Sequence, residues 1–103
     1  MEWRVRRVRY ETHTHMSREE VFEAARRFFG QEEGGAGMKL SAEQGNQIAF
    51  SGGGLVWITV WPSRPGKPTR VDIDVSDRDA EAKAFIEKVL RAPVRATSAG
   101  TGV

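Results

Sequence analysis

The sequence predicts an α+β domain with the element order β-α-β-β-β-β-α, in which one antiparallel five-stranded sheet has both helices on one face. Three observations lead to this prediction. A capping box at Ser17 marks the start of a helix. Four short apolar segments, separated by turns rich in glycine and proline, follow between residues 38 and 76. A last segment with helical apolar spacing ends near residue 91.

Length and composition limit the class of protein. With 103 residues the chain has room for one domain with a single core. It has no cysteine, which excludes a disulfide scaffold, cysteine-bound zinc, an iron–sulfur cluster and a thiol nucleophile. No apolar run approaches the roughly 20 residues of a membrane span. We therefore expect a soluble, cytoplasmic domain with no membrane partner.

The first strand is predicted over residues 3–15. Apolar side chains change parity at Arg6 and Arg7, which predicts a β-bulge there. Beyond the bulge, one parity is expected to face the core, and it contains Val8, Tyr10, Thr12 and Thr14.

The first helix is predicted from Ser17 onward. Ser17 and Glu20 have the spacing of a capping box, and Met16 and Val21 have that of a hydrophobic staple. Gly30 is placed to end the helix. The apolar stripe of this helix contains Val21, Ala25, Phe28 and Phe29.

Four strands are predicted after a glycine-rich loop at 31–37. The turns between them are Gly45-Asn46, the triple glycine at 52–54 and a proline-containing connection at 62–68. Met38, Leu40 and Ala42 are expected to share one face of the first of these strands. The strands cover approximately residues 38–43, 48–50, 55–61 and 70–76.

The second helix is predicted to start at a cap formed by Ser76 or Asp77 and to continue to about Arg91. Residues 92–103 lack apolar periodicity, so we expect a single domain over 1–91 and a flexible C-terminal tail. The apolar side of the helix contains Ala82, Phe85, Ile86, Val89 and Leu90.

The order of elements over residues 3–91 resembles the helix-grip architecture of TATA-binding-protein-like domains and, in longer form, of the START/Bet v 1-like (SRPBCC) ligand-binding superfamily. The resemblance concerns the order of elements and no sequence motif, so no catalytic residue is inferred from it. It implies a sheet with the first strand beside the last, and a small apolar ligand held under the C-terminal helix. The side chains placed to line such a pocket are Phe28, Phe50, Phe85 and Val89.

The strand at 55–61 has apolar residues on both parities. We expect Val56, Ile58 and Val60 to face the helices, because they match the β-branched residues of the following strand. The opposite parity would then form an apolar strip typical of a self-association interface. If the parity is reversed, the indoles fill the core or line a pocket. The predicted interface residues are Trp3, Leu55, Trp57 and Trp61.

Arginines are concentrated near the N-terminus although the formal net charge of the chain is only +2. Where the first strand pairs with the strand at 70–76, Asp72 and Asp74 would lie opposite them and form surface ion pairs. The alternative is a polyanion-binding face, against which the two aspartates argue because they repel phosphate. Nucleic acid is therefore not the expected partner. The residues of this alternative site are Arg4, Arg7, Arg9 and Arg70.

Glu11, His13 and His15 alternate on the first strand, so they would share a face and could bind a metal ion. The alternative is that both histidines are exposed side chains at the strand end. No nucleophile elbow or phosphate loop occurs, and no cofactor is expected. The sequence favours a non-enzymatic domain that forms a homodimer through its open sheet face. The alternatives are an apolar-ligand or lipid carrier and a polyanion-binding module.

Overall fold

The computed structural model describes residues 7–30, 37–62, 64–93 and 96–97 of the chain. The strands form one antiparallel sheet in the order β2-β3-β4-β5-β1-β6. The elements are β1 (Val8–Thr14), α1 (Arg18–Gly30), β2 (Lys39–Gln44), β3 (Gln47–Ser51), β4 (Leu55–Trp61), β5 (Thr69–Ser76), α2 (Asp79–Ala84), which continues as a π-helix (Phe85–Leu90), and β6 (Ala96–Thr97). The α+β class and the order of the predicted elements are confirmed.

Both helices pack on one face of the sheet, which encloses the core. The core-facing positions of β4 and β5 are fully buried or nearly so, and the helical segments contribute large buried aromatic and aliphatic side chains. The buried strand residues are Val56, Ile58, Val60, Val71, Ile73 and Val75, and the helical ones are Val21, Phe22, Phe29, Phe85, Ile86 and Leu90.

The first strand has the predicted parity. Tyr10, Thr12 and Thr14 are buried, whereas His13 is exposed on the opposite side. The described part of the strand begins at Val8, so most of the predicted bulge at Arg6-Arg7 lies outside the described residues.

The capping box at the start of α1 is confirmed in both directions. The backbone N–H of Ser17 donates to Glu20 Oε1 at 2.7 Å, and the backbone N–H of Glu20 donates to Ser17 Oγ at 3.2 Å. The buried stripe differs from the prediction in one respect, since Phe22 is buried and Phe28 is half-buried.

The predicted shared face of Met38, Leu40 and Ala42 is wrong. Met38 is buried, but a β-bulge between Leu40 and Ala42 shifts the register, so that Leu40 pairs with Phe50 and Ala42 pairs with Ala49. All six residues of β2 are exposed. An edge strand buries little on either face, so its alternation is a weak guide to orientation.

The predicted cap of the second helix is also wrong. Ser76 ends β5, Asp77 has a φ of 60°, and α2 starts after Arg78, whose side chain makes no cap hydrogen bond. The helix then widens into a π-helix before ending at Arg91, which has a left-handed backbone with a φ of 54°. The predicted apolar side is confirmed as buried, apart from Val89, which is half-buried.

Part of the predicted tail belongs to the sheet. Ala96 pairs with Tyr10 and Thr97 with Arg9, which adds the two-residue strand β6 beside β1. Residues 94–95 and 98–103 lie outside the described residues. Within the described ranges, neither helix has the length and apolar content needed to cross a membrane.

Candidate functional site

The candidate site is the face of the sheet opposite the helices, here called the open face. Its parity on β4 is the predicted one, because Val56, Ile58 and Val60 are fully buried while Trp61 is 48% exposed. Trp57 and Leu55 are half-buried on the same face as Trp61. The indoles therefore lie outside the core, as the sequence predicts, whereas Trp3 lies outside the described residues.

The strand register places a row of charges beside these indoles. Trp57 pairs with Asp74, which in turn pairs with Arg9 of β1. The Arg9 guanidinium donates from Nε to Asp74 Oδ1 at 2.8 Å and from Nη2 to Asp74 Oδ2 at 3.3 Å. This hydrogen bond, together with the charge of Asp74, raises the pKa of Arg9. The predicted cross-strand ion pair is confirmed at these two residues.

A second cluster lies at the other end of the same face. Arg70 donates from Nε to Asp72 Oδ1 and from Nη2 to Asp72 Oδ2, both at 3.1 Å, and lies 3.5 Å from Glu11. The hydrogen bond to Asp72 raises the pKa of Arg70. The Trp61 indole N–H donates to Asp72 Oδ2 at 3.0 Å. One carboxylate therefore joins a tryptophan to an arginine.

The arginines are largely neutralised, which weakens the polyanion-binding interpretation. On the described open face, the charges of Arg9 and Arg70 are balanced by three carboxylates. A bound phosphate would have to compete with these carboxylates for the same guanidinium groups. Arg4 lies outside the described residues. The three carboxylates are Glu11, Asp72 and Asp74.

The open face contains a pocket of about 400 Å³. Its walls come from β1, β3, β4 and β5, and they combine two indoles with charged and hydroxyl groups. Ala49, which pairs with Trp57, is only 1% exposed on this face, so larger neighbours cover its methyl group. The charged and aromatic lining residues are Arg7, Arg9, Trp57, Trp61, Asp72 and Asp74.

The residues of the predicted ligand pocket pack on one another instead. Phe50 and Phe85 are fully buried, and Phe28 and Val89 are half-buried. The Phe28 and Phe85 ring centroids are 5.4 Å apart, and Phe29 contacts the rings of Phe28, Phe50 and Phe85 at 5.0–5.5 Å. The aromatic rings therefore occupy the space between helices and sheet where the resemblance implies an apolar ligand.

The structure does not support the predicted metal site. The described residues contain no group of three or more histidine, aspartate or glutamate side chains arranged to hold an ion. Glu11 lies 3.5 Å from Arg70, and His15 follows the end of β1 at Thr14. Both histidines are exposed and line a second, open depression of about 540 Å³ near Arg91.

Sequence reasoning missed several residues of the open face. Gln47, Thr59 and Ser76 line the pocket, but nothing in their local sequence distinguishes them from other polar strand residues. The pairing of β3, β4 and β5 brings them together, so only the register identifies them. The full burial of Asp72 between Trp61 and Arg70 also depends on this pairing.

Comparisons with known protein families, curated proteins and solved structures found no significant match to this chain.

Proposed function

We propose that this chain is a non-enzymatic domain that forms a homodimer through its open face. The observation that supports this proposal is the position of Leu55, Trp57 and Trp61 on the face that neither helix covers. Trp61 is 48% exposed although its indole is among the largest apolar groups of the chain. Aromatic residues in such positions are enriched at protein interfaces.

The charge pattern of the face suits a second copy of the same chain. Arg9 and Arg70 lie among three carboxylates of β1 and β5, so the face carries both signs close together. A two-fold dimer brings identical surfaces into contact, and such surfaces must complement themselves. A face with a single sign of charge would repel its copy. Charges of both signs allow an arginine of one copy to approach a carboxylate of the other.

The free edge of the sheet is less suited to self-association. β2 is exposed along its whole length, but it begins with Lys39 and contains a β-bulge between Leu40 and Ala42. Charged residues and bulges on edge strands disfavour pairing with another strand. We therefore assign the contact to the face rather than to the edge of the sheet.

The proposal is tested by measuring molar mass with size-exclusion chromatography and light scattering over a range of protein concentrations. We expect the wild-type chain to approach twice its 11.5 kDa mass. The double variant Trp57→Ser, Trp61→Ser is expected to remain monomeric. The matched control is Leu40→Ser, because Leu40 is also 48% exposed but lies on β2 and pairs with the core residue Phe50. The control should associate like the wild type.

Three outcomes would contradict the proposal. A wild-type chain that remains monomeric at millimolar concentration would exclude self-association as the function. A double variant that is folded by circular dichroism and still dimerises would show that the interface does not include the two indoles. Equal loss of association in the Leu40→Ser control would point to the β2 edge instead.

We also propose that the fold is a short helix-grip. The order of the elements, the pairing of β1 with β5 and the packing of both helices on one face support it. The close packing of the phenylalanines under the C-terminal helix argues against transferring the ligand cavity of the longer relatives of this architecture to this chain.

A further inference from the structure

The pocket of the open face has the size and lining of a small-molecule site. Its volume of about 400 Å³ falls within the range of small-ligand sites, which are lined mainly by apolar and aromatic groups with a few polar ones. Here Leu55, Trp57 and Trp61 supply the apolar wall, and Thr59 and Ser76 supply hydroxyl groups. The flat indoles favour a ligand with a flat ring, because offset or edge-to-face aromatic contacts are favourable.

The carboxylates of the pocket are already occupied by donors. Asp74 accepts two hydrogen bonds from Arg9. Asp72 accepts two from Arg70 and one from the Trp61 indole. Because each carboxylate has its guanidinium partner, neither is available as the main partner of a cationic ligand.

Arg7 is the charged group of the pocket that lacks a partner within the described residues. It lines the pocket, it is exposed, and it makes no hydrogen bond or ion pair with another described residue. A guanidinium has five N–H donors and binds a carboxylate through two parallel hydrogen bonds. The Arg7 guanidinium can therefore donate hydrogen bonds to an anion in the pocket.

We propose that this pocket binds a small aromatic carboxylate. The carboxylate group pairs with the Arg7 guanidinium, and the ring lies against the Trp57 indole. This binding needs only one chain, so it goes beyond the proposed self-association. Because Trp57 and Trp61 also belong to the proposed interface, the ligand and a second copy of the chain would compete for the open face.

The test is isothermal titration calorimetry with 2-naphthoate, compared with its neutral analogue 2-naphthamide. We expect naphthoate to bind the wild-type chain about tenfold more tightly than the amide, since a hydrogen bond between charged groups contributes about 1.5 kcal/mol or more. The Arg7→Gln variant is expected to lose this tenfold preference. The matched control Arg64→Gln removes an exposed arginine of the β4–β5 connection that does not line the pocket, and it should bind like the wild type.

Several results would overturn the inference. These are no heat of binding for naphthoate at millimolar concentration, equal affinity for acid and amide, or unchanged affinity in a folded Arg7→Gln variant. Measuring the molar mass of the same samples separates the two proposals. A chain that stays monomeric and binds naphthoate contradicts the proposed dimer alone, whereas a chain that dimerises at high concentration but does not bind naphthoate at concentrations where it is monomeric contradicts the pocket alone.

Discussion

The indole N–H of Trp61 donates a hydrogen bond to Asp72 Oδ2 at 3.0 Å, and this contact orients the most exposed of the aromatic residues that the structure describes on the open face. Asp72 is only 5% exposed although it lies on the face away from the core. Arg70 donates to the other oxygen of the same carboxylate, and its guanidinium carbon lies 5.9 Å from the Trp61 ring centroid. An exposed tryptophan is thus held in one position, which reduces the entropy lost when it enters an interface.

Replacing Asp72 by alanine should destabilise the fold. The substitution removes a buried acceptor and leaves the Trp61 N–H without its partner. Hydrogen bonds to charged groups contribute about 1.5–3 kcal/mol, so we expect a loss of this size in the free energy of unfolding measured with urea. The matched control is Asp74→Ala, which breaks a more exposed ion pair and should cost about 1 kcal/mol or less. Equal losses in both variants would contradict the special position of Asp72.

Replacing Ser17 by alanine should destabilise α1. The variant loses the hydrogen bond from the Glu20 backbone N–H to Ser17 Oγ. Loss of such an N-cap side chain costs about 1 kcal/mol of stability, which urea denaturation measures. Glu20→Gln keeps an acceptor for the Ser17 N–H and should cost less. A Ser17→Ala variant as stable as the wild type would show that this helix end gains nothing from its cap.

The sequence predicted those features that depend on local pattern. The capping box needs only residues 17–20, and the orientation of β4 follows from matching Val56, Ile58 and Val60 to the β-branched side of β5. Each of these signals is a pattern of residue types within one segment or between two consecutive strands. Such patterns predicted the order of elements and the face of the sheet on which Trp57 and Trp61 lie.

The remaining features depend on contacts between distant segments. α2 starts after Arg78, whose guanidinium donates to the Gly52 carbonyl and pairs with Glu81. The bulge in β2 has no local signal, because both registers of an exposed strand bury almost nothing. The pocket requires the register of four strands, so its volume and its partnered carboxylates follow only from the assembled sheet.

Gly54 is expected to tolerate no side chain. Its φ is +156°, and a Cβ there would lie 2.8 Å from Arg78 Cγ and closer still to the Ser76 carbonyl oxygen. Gly54→Ala should therefore lower the free energy of unfolding by about 2–5 kcal/mol, through backbone strain and crowding together. The measurement is urea denaturation followed by circular dichroism.

Gly45 provides the matched control for this substitution. It also has a positive φ, of +58°, but a Cβ there would meet no atom within 4 Å. Gly45→Ala should cost only the conformational strain of about 1–2 kcal/mol. Equal losses in the free energy of unfolding would contradict this explanation. They would show that crowding against Ser76 and Arg78 is not the reason for glycine at position 54.

Tyr10 should titrate above the ordinary tyrosine value of 10.0 in the folded chain. Burial raises the pKa of its phenol, and the charge of Asp79 raises it further. Because Tyr10 is the single tyrosine of the sequence, the ultraviolet absorbance of phenolate reports this group alone. We expect a titration midpoint above 10.0 in buffer and a return to that value in concentrated urea.

The sign of the accompanying change in stability follows from linkage. Above pH 10.0 the unfolded chain loses the phenol proton while the folded chain keeps it, so the unfolded state binds fewer protons. The free energy of unfolding should therefore be unaffected by this group below pH 10.0 and fall as the pH rises toward the folded pKa. Tyr10→Phe should remove this slope, which urea denaturation at a series of alkaline pH values measures. A midpoint at or below 10.0 in the folded chain, verified by circular dichroism, would show that the phenol oxygen is fully hydrated despite the burial of its ring.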